Sequence, residues 1–240
     1  MKALAALLFG LFKAAKLSKV ALTGGTMLIS VFVYATIWGW KYAVGFVLLL
    51  LAHELGHYHA AHQRGLNVGA PTFIPFVGAW IALKEMPHDA ETEAYIGLAG
   101  PFAGTVASAI VLLLARYTGE AWILAVAYAG FFLNLFNLIP LSPLDGGRIT
   151  GVISPKVWLV GVPVLVALFF YRPSPMLVMI AILAVPQVWA TLTGKAQEGA
   201  YYATRAATRM AYAAKYLGLV LVLALLTFDL HEELGRLGGG

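Results

Sequence analysis

Long stretches without a charged side chain constrain the fold of this chain more than any other feature. Residues 20–40, 94–115 and 121–144 contain no Asp, Glu, Lys or Arg. Each stretch reaches the length of about 20 residues that an α-helix needs to cross a bilayer. With 61% hydrophobic and only 11% charged residues, the chain falls outside the range of soluble globular domains. The sequence therefore predicts an all-α polytopic membrane protein.

The apolar stretches divide the chain into three regions. Residues 1–19 form a basic amphipathic segment, and residues 20–195 form the membrane-embedded core. Residues 196–240 predict a surface helix, a possible seventh span at residues 210–228 and a flexible tail. Six core spans are predicted, at residues 20–40, 42–62, 94–115, 121–144, 157–171 and 176–194.

Two segments of the core cannot be continuous helix. Pro140 and Pro143 interrupt the fourth span, so we expect the chain to leave the helix from Asn137 to Asp145. After the second span, prolines and glycines exclude a continuous helix over residues 66–93, although Thr72–Leu83 remains apolar and rich in strand-forming residues. This pattern predicts a short re-entrant β-like segment, which is tolerated at membrane depth only when it is buried in protein or lines a cavity.

The positions of the basic residues predict the orientation of the chain in the membrane. With a cytoplasmic N-terminus and alternating spans, all but four of the 16 Lys and Arg residues lie on the cytoplasmic side; the four are Lys41, Arg116, Arg172 and Arg236. The net charge of +5 is thus explained by topology, and we expect no nucleic-acid partner. Both the end of the second span and the end of the fourth then approach the cytoplasmic side.

The second half of the second span contains the pattern His53-Glu54-Leu55-Gly56-His57. Histidines four residues apart share one face of a helix and can chelate one metal ion, with Glu54 beside them to accept a proton from water. The alternative is a pair of structural core histidines. Ionisable residues that directly follow an apolar membrane segment are expensive to bury, which favours the functional interpretation, and the pattern is typical of zinc hydrolases.

A catalytic zinc site needs a third protein ligand. Because the chain contains no cysteine, this ligand must be a histidine or a carboxylate. Most carboxylates lie in polar loops or beyond the last span. Asp145 directly follows an apolar, proline-broken run at a matching depth, so we predict that it is the third ligand.

Three segments together resemble the site-2 protease family of intramembrane zinc metalloproteases, in particular its compact bacterial and archaeal branch that includes sporulation-factor-processing enzymes. They are His53-Glu54-Leu55-Gly56-His57, Asn137-Leu138-Ile139-Pro140 and Leu144-Asp145-Gly146-Gly147-Arg148. A glycine-proline motif of the family also resembles Gly97-Leu98-Ala99-Gly100-Pro101. The resemblance implies that His53, His57 and Asp145 bind zinc, that Glu54 is the general base and that Asn137 contacts the substrate or its oxyanion. Asn134, one turn earlier, is an alternative to Asn137.

The resemblance also implies a function. We expect one zinc ion per chain and hydrolysis of peptide bonds in or near the transmembrane segment of single-span membrane proteins, as in regulated intramembrane proteolysis. The β-like segment is then a candidate edge strand for the substrate, through Phe73, Ile74 and Phe76, or alternatively a structural plug. We expect a prokaryotic cell membrane, with the active site opening toward the cytoplasm.

A membrane zinc transporter or metal-sensing protein is the alternative from another functional class. In such a protein, His and Asp bind the ion transiently and no peptide bond is cut. Glu54 distinguishes the two functions, because a transporter has no need of a glutamate that does not bind the metal next to its first histidine ligand.

Overall fold

The computed structural model describes residues 19–76, 78–80, 85–195 and 200–238. In chain order the elements are α1 (Lys19–Trp38), α2 (Trp40–Gln63), β1 (Thr72–Ile74), β2 (Gly78–Trp80), α3 (Ala90–Thr118), α4 (Ala121–Asn137), α5 (Asp145–Ile153), α6 (Trp158–Tyr171), α7 (Pro175–Leu192) and α8 (Ala206–Gly238). The basic segment predicted at residues 1–19 lies outside the described residues except for Lys19, and so do the last two residues of the predicted tail.

Several of these helices have the character of membrane spans. Among the described residues, four are long and apolar enough to cross a bilayer: Ala21–Trp38, Ala90–Thr118, Pro175–Leu192 and Ala206–Leu237. Shorter apolar helices cover Ala121–Asn137 and Pro155–Tyr171. Large apolar side chains project from these helices on their outer faces, as a lipid environment requires. The chain is therefore a largely helical, multi-pass membrane protein, as predicted in outline.

A single residue joins α1 to α2. Gly39 has a φ of +82°, which glycine adopts without the steric cost of a Cβ atom. Trp38 and Trp40 on either side of it are exposed. The two helices then pack against each other through an apolar cluster that includes Tyr34 and Val47.

The segment after α2 forms a two-stranded antiparallel hairpin in which Phe73 lies opposite Ala79. Polar side chains of α1 hold β1 in place. The Thr26 hydroxyl accepts a hydrogen bond from the Phe73 N–H at 3.2 Å, and the Tyr34 hydroxyl accepts one from the Phe76 N–H at 3.0 Å. The hairpin is thus fixed beside the first two helices.

The fourth apolar run breaks where its prolines predict. α4 ends at Asn137, residues 138–144 are not helical, and α5 begins at Asp145. Gly146 lies so close to the preceding loop that an added Cβ atom would be 2.2 Å from the Leu138 carbonyl oxygen. The loop therefore folds tightly back on the first turn of α5.

The last helix runs beside α3 in the same direction. Near its start, the Tyr212 hydroxyl donates to the Glu91 carbonyl at 3.4 Å, and near its end Glu233 forms a bidentate ion pair with Arg116. Between α7 and α8, the described residues include one 3-10 turn at Ala200–Tyr202. The surface helix expected from residue 196 stays a prediction, because residues 196–199 lie outside the described residues.

The 3-10 turn is tied to the start of α3. The Tyr201 hydroxyl donates to the Glu93 carboxylate at 2.7 Å. Burial and this carboxylate raise the pKa of Tyr201 well above its usual range, so the phenol remains a neutral donor at physiological pH. The connection to α8 is thereby anchored to the core.

Candidate metal centre

Three buried side chains from two helices converge on one point. His53 and His57 lie one turn apart on α2, and Asp145 is the first residue of α5. The Asp145 Oδ2 atom lies 3.1 Å from His53 Nε2 and 3.2 Å from His57 Nε2, and the two Nε2 atoms are 3.1 Å apart. Each residue is less than 10% exposed. Among the described residues, this is the one group of three or more His, Cys, Asp or Glu side chains close enough to hold a metal ion.

In each histidine, the hydrogen bond at Nδ1 leaves Nε2 available to bind a metal. His57 Nδ1 lies 2.8 Å from the Ile96 carbonyl oxygen, which can only accept, so Nδ1 carries the proton. His53 Nδ1 lies 2.8 Å from Asn134 Oδ1. The orientation of the Asn134 amide is set by its Nδ2 atom, which donates to the Gly130 carbonyl at 2.7 Å. Both Nε2 atoms therefore present a lone pair to the same point.

Glycines of α3 make room for these side chains. A Cβ atom at Gly100 would lie 2.2 Å from His57 Nε2, and one at Gly104 would lie 2.3 Å from Asn134 Oδ1. These glycines are four residues apart on the helix, the spacing that allows close helix packing. Gly100 of the glycine-proline motif, and Gly104 beyond it, thus contribute to the site by leaving room for the His57 and Asn134 side chains.

The side chains of His53, His57 and Asp145 open onto a cavity of about 360 Å³. Glu54, which is 5% exposed, and the half-buried Asn137 line the same cavity. Its remaining walls come from α2, the hairpin, α3, the end of α4, the following loop, α5 and α7: Leu50, Thr72, Ile74, Gly78, Ala79, Ile96, Leu133, Phe136, Pro143, Leu144, Arg148, Met176, Met179, Ile180 and Leu183. The cavity wall is thus mostly apolar.

The structure separates the two candidate asparagines. Asn134 is fully buried and contacts His53, whereas Asn137 lies one turn later, bonds the Leu133 carbonyl through Nδ2 at 3.1 Å and lines the cavity. The sequence argument left the choice open and did not find the role of Asn134 toward His53. The sequence did contain a signal for the role of Asn134, because its amide lies within an uncharged apolar run and a buried amide needs hydrogen-bond partners.

The three hairpin residues predicted to bind substrate are placed differently. Ile74 lines the cavity. Phe73 points the other way into the cluster with Tyr34 and Val47, as the two-residue period of a strand requires. Phe76 lies in the turn, is 56% exposed and packs edge-on against the Tyr34 ring.

The donor set and its surroundings define a class of site. Two neutral imidazole nitrogens and one carboxylate oxygen are ligands that Zn²⁺ binds. The hydrogen bonds at the Nδ1 atoms of the two histidines are of the kind that metal-binding histidines make. A glutamate on the helix that carries the two histidines, facing the same cavity, is typical of a zinc hydrolase. The fold and the site together indicate a metallohydrolase centre within a membrane protein.

Comparisons with known proteins agree with this class. Residues 41–120 match Peptidase family M50 and include His53, Glu54 and His57. The chain is 30% identical to "Zinc metalloprotease MJ0392" of Methanocaldococcus jannaschii over 48% of its own length and 35% of the relative. It is 41% identical to "Probable zinc metalloprotease EGY1, chloroplastic" of Arabidopsis thaliana over 44% of its own length and 28% of the relative. These matches confirm the resemblance to the site-2 protease family, although they span about a third of each relative.

Proposed function

We propose that this chain is a zinc-dependent intramembrane endopeptidase that hydrolyses peptide bonds in or near the transmembrane segments of membrane proteins. The observation that carries the proposal is the convergence of His53, His57 and Asp145 beside Glu54 in one cavity. The family match and the printed names of the relatives support it.

His53 Nε2, His57 Nε2 and Asp145 Oδ2 would hold one zinc ion per chain. When bound, zinc supplies Lewis acidity that polarises water and the scissile carbonyl. Glu54 accepts the proton of the attacking water and delivers it to the leaving amine. Asn137, which lines the same cavity, donates to the developing oxyanion, a type of contact whose loss typically lowers the rate about 100- to 1000-fold.

The hairpin offers an edge to an unwound substrate. Because the Phe73 N–H bonds to Thr26 rather than to β2, the pair of Phe73 and Ala79 is of the type without mutual hydrogen bonds. Ala79 therefore directs its N–H and C=O away from β1, and it lines the cavity together with Gly78. A substrate segment that has left its helical conformation can pair with this edge, and Ile74 contacts its side chains.

The proposed arrangement in the membrane has six core spans, the re-entrant hairpin and a seventh span formed by α8. α3 and α8 have 29 and 33 residues, or about 44 and 50 Å, and contacts near both ends hold them side by side. If α3 spans the bilayer, α8 spans it too. The charge distribution supports a cytoplasmic N-terminus and an active site that opens toward the cytoplasm of a prokaryotic cell.

Cleavage of a panel of single-span membrane proteins by the purified chain tests the proposal. We expect cleavage by the zinc-loaded protein, loss of cleavage after chelation and recovery when zinc is restored. A protein that binds zinc, cuts none of the panel and moves zinc across liposome membranes would instead be a transporter. The similarities to known proteins do not favour that alternative.

A further inference from the structure

The hydroxyl of Tyr216 on α8 reaches the loop that connects the two halves of the metal centre. It donates a buried hydrogen bond of 2.6 Å to the Leu138 carbonyl oxygen. Leu138 follows directly on the last residue of α4, where the final carbonyls of a helix lack intrahelical partners. Tyr216 and Leu138 are 8% and 2% exposed. A side chain from the last helix of the chain thus satisfies a helix-end carbonyl in the core.

The same carbonyl supports the first turn of α5. An added Cβ atom at Gly146 would lie 2.2 Å from the Leu138 oxygen and 2.3 Å from the Ile139 oxygen, so the backbone of α5 packs directly on this part of the loop. Asp145 immediately precedes Gly146, and Asn137 immediately precedes Leu138. The Leu138 carbonyl therefore directly follows the proposed oxyanion donor in the chain and packs against the residue that follows the proposed metal ligand.

The helix that carries Tyr216 is itself fixed in place. Leu223 and Leu230 of α8 are almost fully buried and belong to the cluster that also contains Phe131 of α4 and Ile149 of α5. The Arg116–Glu233 ion pair holds the far end of α8 to α3. Tyr216 therefore lies on a helix that is packed into the core. This helix lies outside the residues that match the peptidase family.

We propose that Tyr216 is a positioning residue of the metal centre. Through the Leu138 carbonyl, its hydroxyl sets the location of Asp145 relative to His53 and His57, and that of Asn137 relative to the cavity. The proposal rests on the proposed function for its effect on cleavage, but its effect on the geometry of the metal site stands independently.

The test compares Tyr216→Phe with the wild-type chain, both purified in full length. The variant keeps the ring and its packing and loses only the hydroxyl, so the Leu138 carbonyl loses its partner. We expect kcat to fall about 10-fold and zinc affinity to fall by a similar factor, since supporting bonds around metal ligands typically contribute about 10- to 100-fold. We also expect a changed visible spectrum of the Co²⁺-substituted protein and a KM within about twofold of wild type.

Two matched variants separate positioning from general stability. Tyr212→Phe removes a hydroxyl one turn earlier on the same helix, where it bonds the Glu91 carbonyl away from the loop. Leu223→Ala removes a buried side chain of α8 from the cluster that also contains Leu138, but it leaves the hydrogen bond between the Tyr216 hydroxyl and the Leu138 carbonyl in place. Both are expected to retain the wild-type Co²⁺ spectrum, and Leu223→Ala to lower Tm by at least as much as Tyr216→Phe.

The outcomes distinguish this proposal from the proposed function. A Tyr216→Phe variant with wild-type Co²⁺ spectrum, zinc affinity and kcat overturns the positioning role while leaving the protease intact. The role is also overturned if Leu223→Ala changes the spectrum and kcat as Tyr216→Phe does at an equal loss of Tm. If the wild type binds zinc but cleaves nothing, the proposed function fails, and the spectrum and zinc affinity still decide the role of Tyr216.

Discussion

From the hydrogen bond between His53 and Asn134, we predict how much zinc affinity falls when the bond is removed. Replacing Asn134 with Leu keeps a side chain of similar size in this fully buried position but removes the oxygen that accepts the His53 Nδ1 proton. The Gly130 carbonyl loses only an additional donor, because it lies within α4. The substitution therefore acts chiefly on His53.

The expected loss of zinc affinity is calculated from the free energy of the hydrogen bond between His53 and Asn134. A buried N–H that loses its partner costs about 1–3 kcal/mol, and the Asn134 oxygen is the one hydrogen-bond acceptor that His53 Nδ1 has among the described residues. At about 1.4 kcal/mol per factor of ten, zinc affinity should fall roughly 5- to 150-fold. Measured effects of losing such outer bonds, about 10- to 100-fold, lie within this range.

The assay is competition for zinc against a chelator of known affinity, with Asn137→Leu as the matched control. Asn137 is the same residue type one turn later and contacts the Leu133 carbonyl rather than a histidine. We expect Asn137→Leu to keep wild-type zinc affinity and to lose cleavage activity. An Asn134→Leu variant that folds and binds zinc as tightly as the wild type would refute the assignment of the His53 tautomer.

Three further predictions test other contacts. Gly100→Ala should abolish stoichiometric zinc binding, measured by metal analysis, because its Cβ atom would meet the His57 ring, whereas Gly24→Ala, with nothing within 4 Å, should bind normally. Ile74→Ala should raise KM in a cleavage assay with little change in Tm, whereas Phe73→Ala should lower Tm, because Ile74 lines the cavity and Phe73 lies in the core. Arg116→Gln removes an ion pair whose arginine side chain is 48% exposed, so thermal melts should show a loss of no more than about 1 kcal/mol and cleavage should be unchanged.

Sequence reasoning brought His53, His57 and Asp145 to one candidate site by combining local constraints with the expected depth of each segment. Histidines four apart on a helix share a face whatever surrounds them, and prolines end a helix from their own covalent structure. His53, His57 and Asp145 therefore come together as the spacing and the expected depth predict.

The remaining features depend on contacts that no local pattern specifies. Whether Asn134 or Asn137 meets a histidine depends on how α4 is rotated against α2 and α3, and Gly104 decides this by allowing Asn134 to approach. The alternation of a three-residue strand separates Ile74 from Phe73, but which face meets the cavity follows from the bonds to α1. Likewise, the contact between Tyr216 and Leu138 joins residues 78 apart in the chain.

The most direct test of the central claim is cleavage of a single-span membrane protein by Glu54→Gln, with zinc content measured on the same sample. The substitution keeps the shape of the side chain and removes its ability to accept a proton, while the three proposed ligands remain. The account predicts one zinc ion per chain and no detectable fragments, under conditions in which the wild type cuts. A Glu54→Gln protein that holds zinc and still cleaves at the wild-type rate would contradict the account.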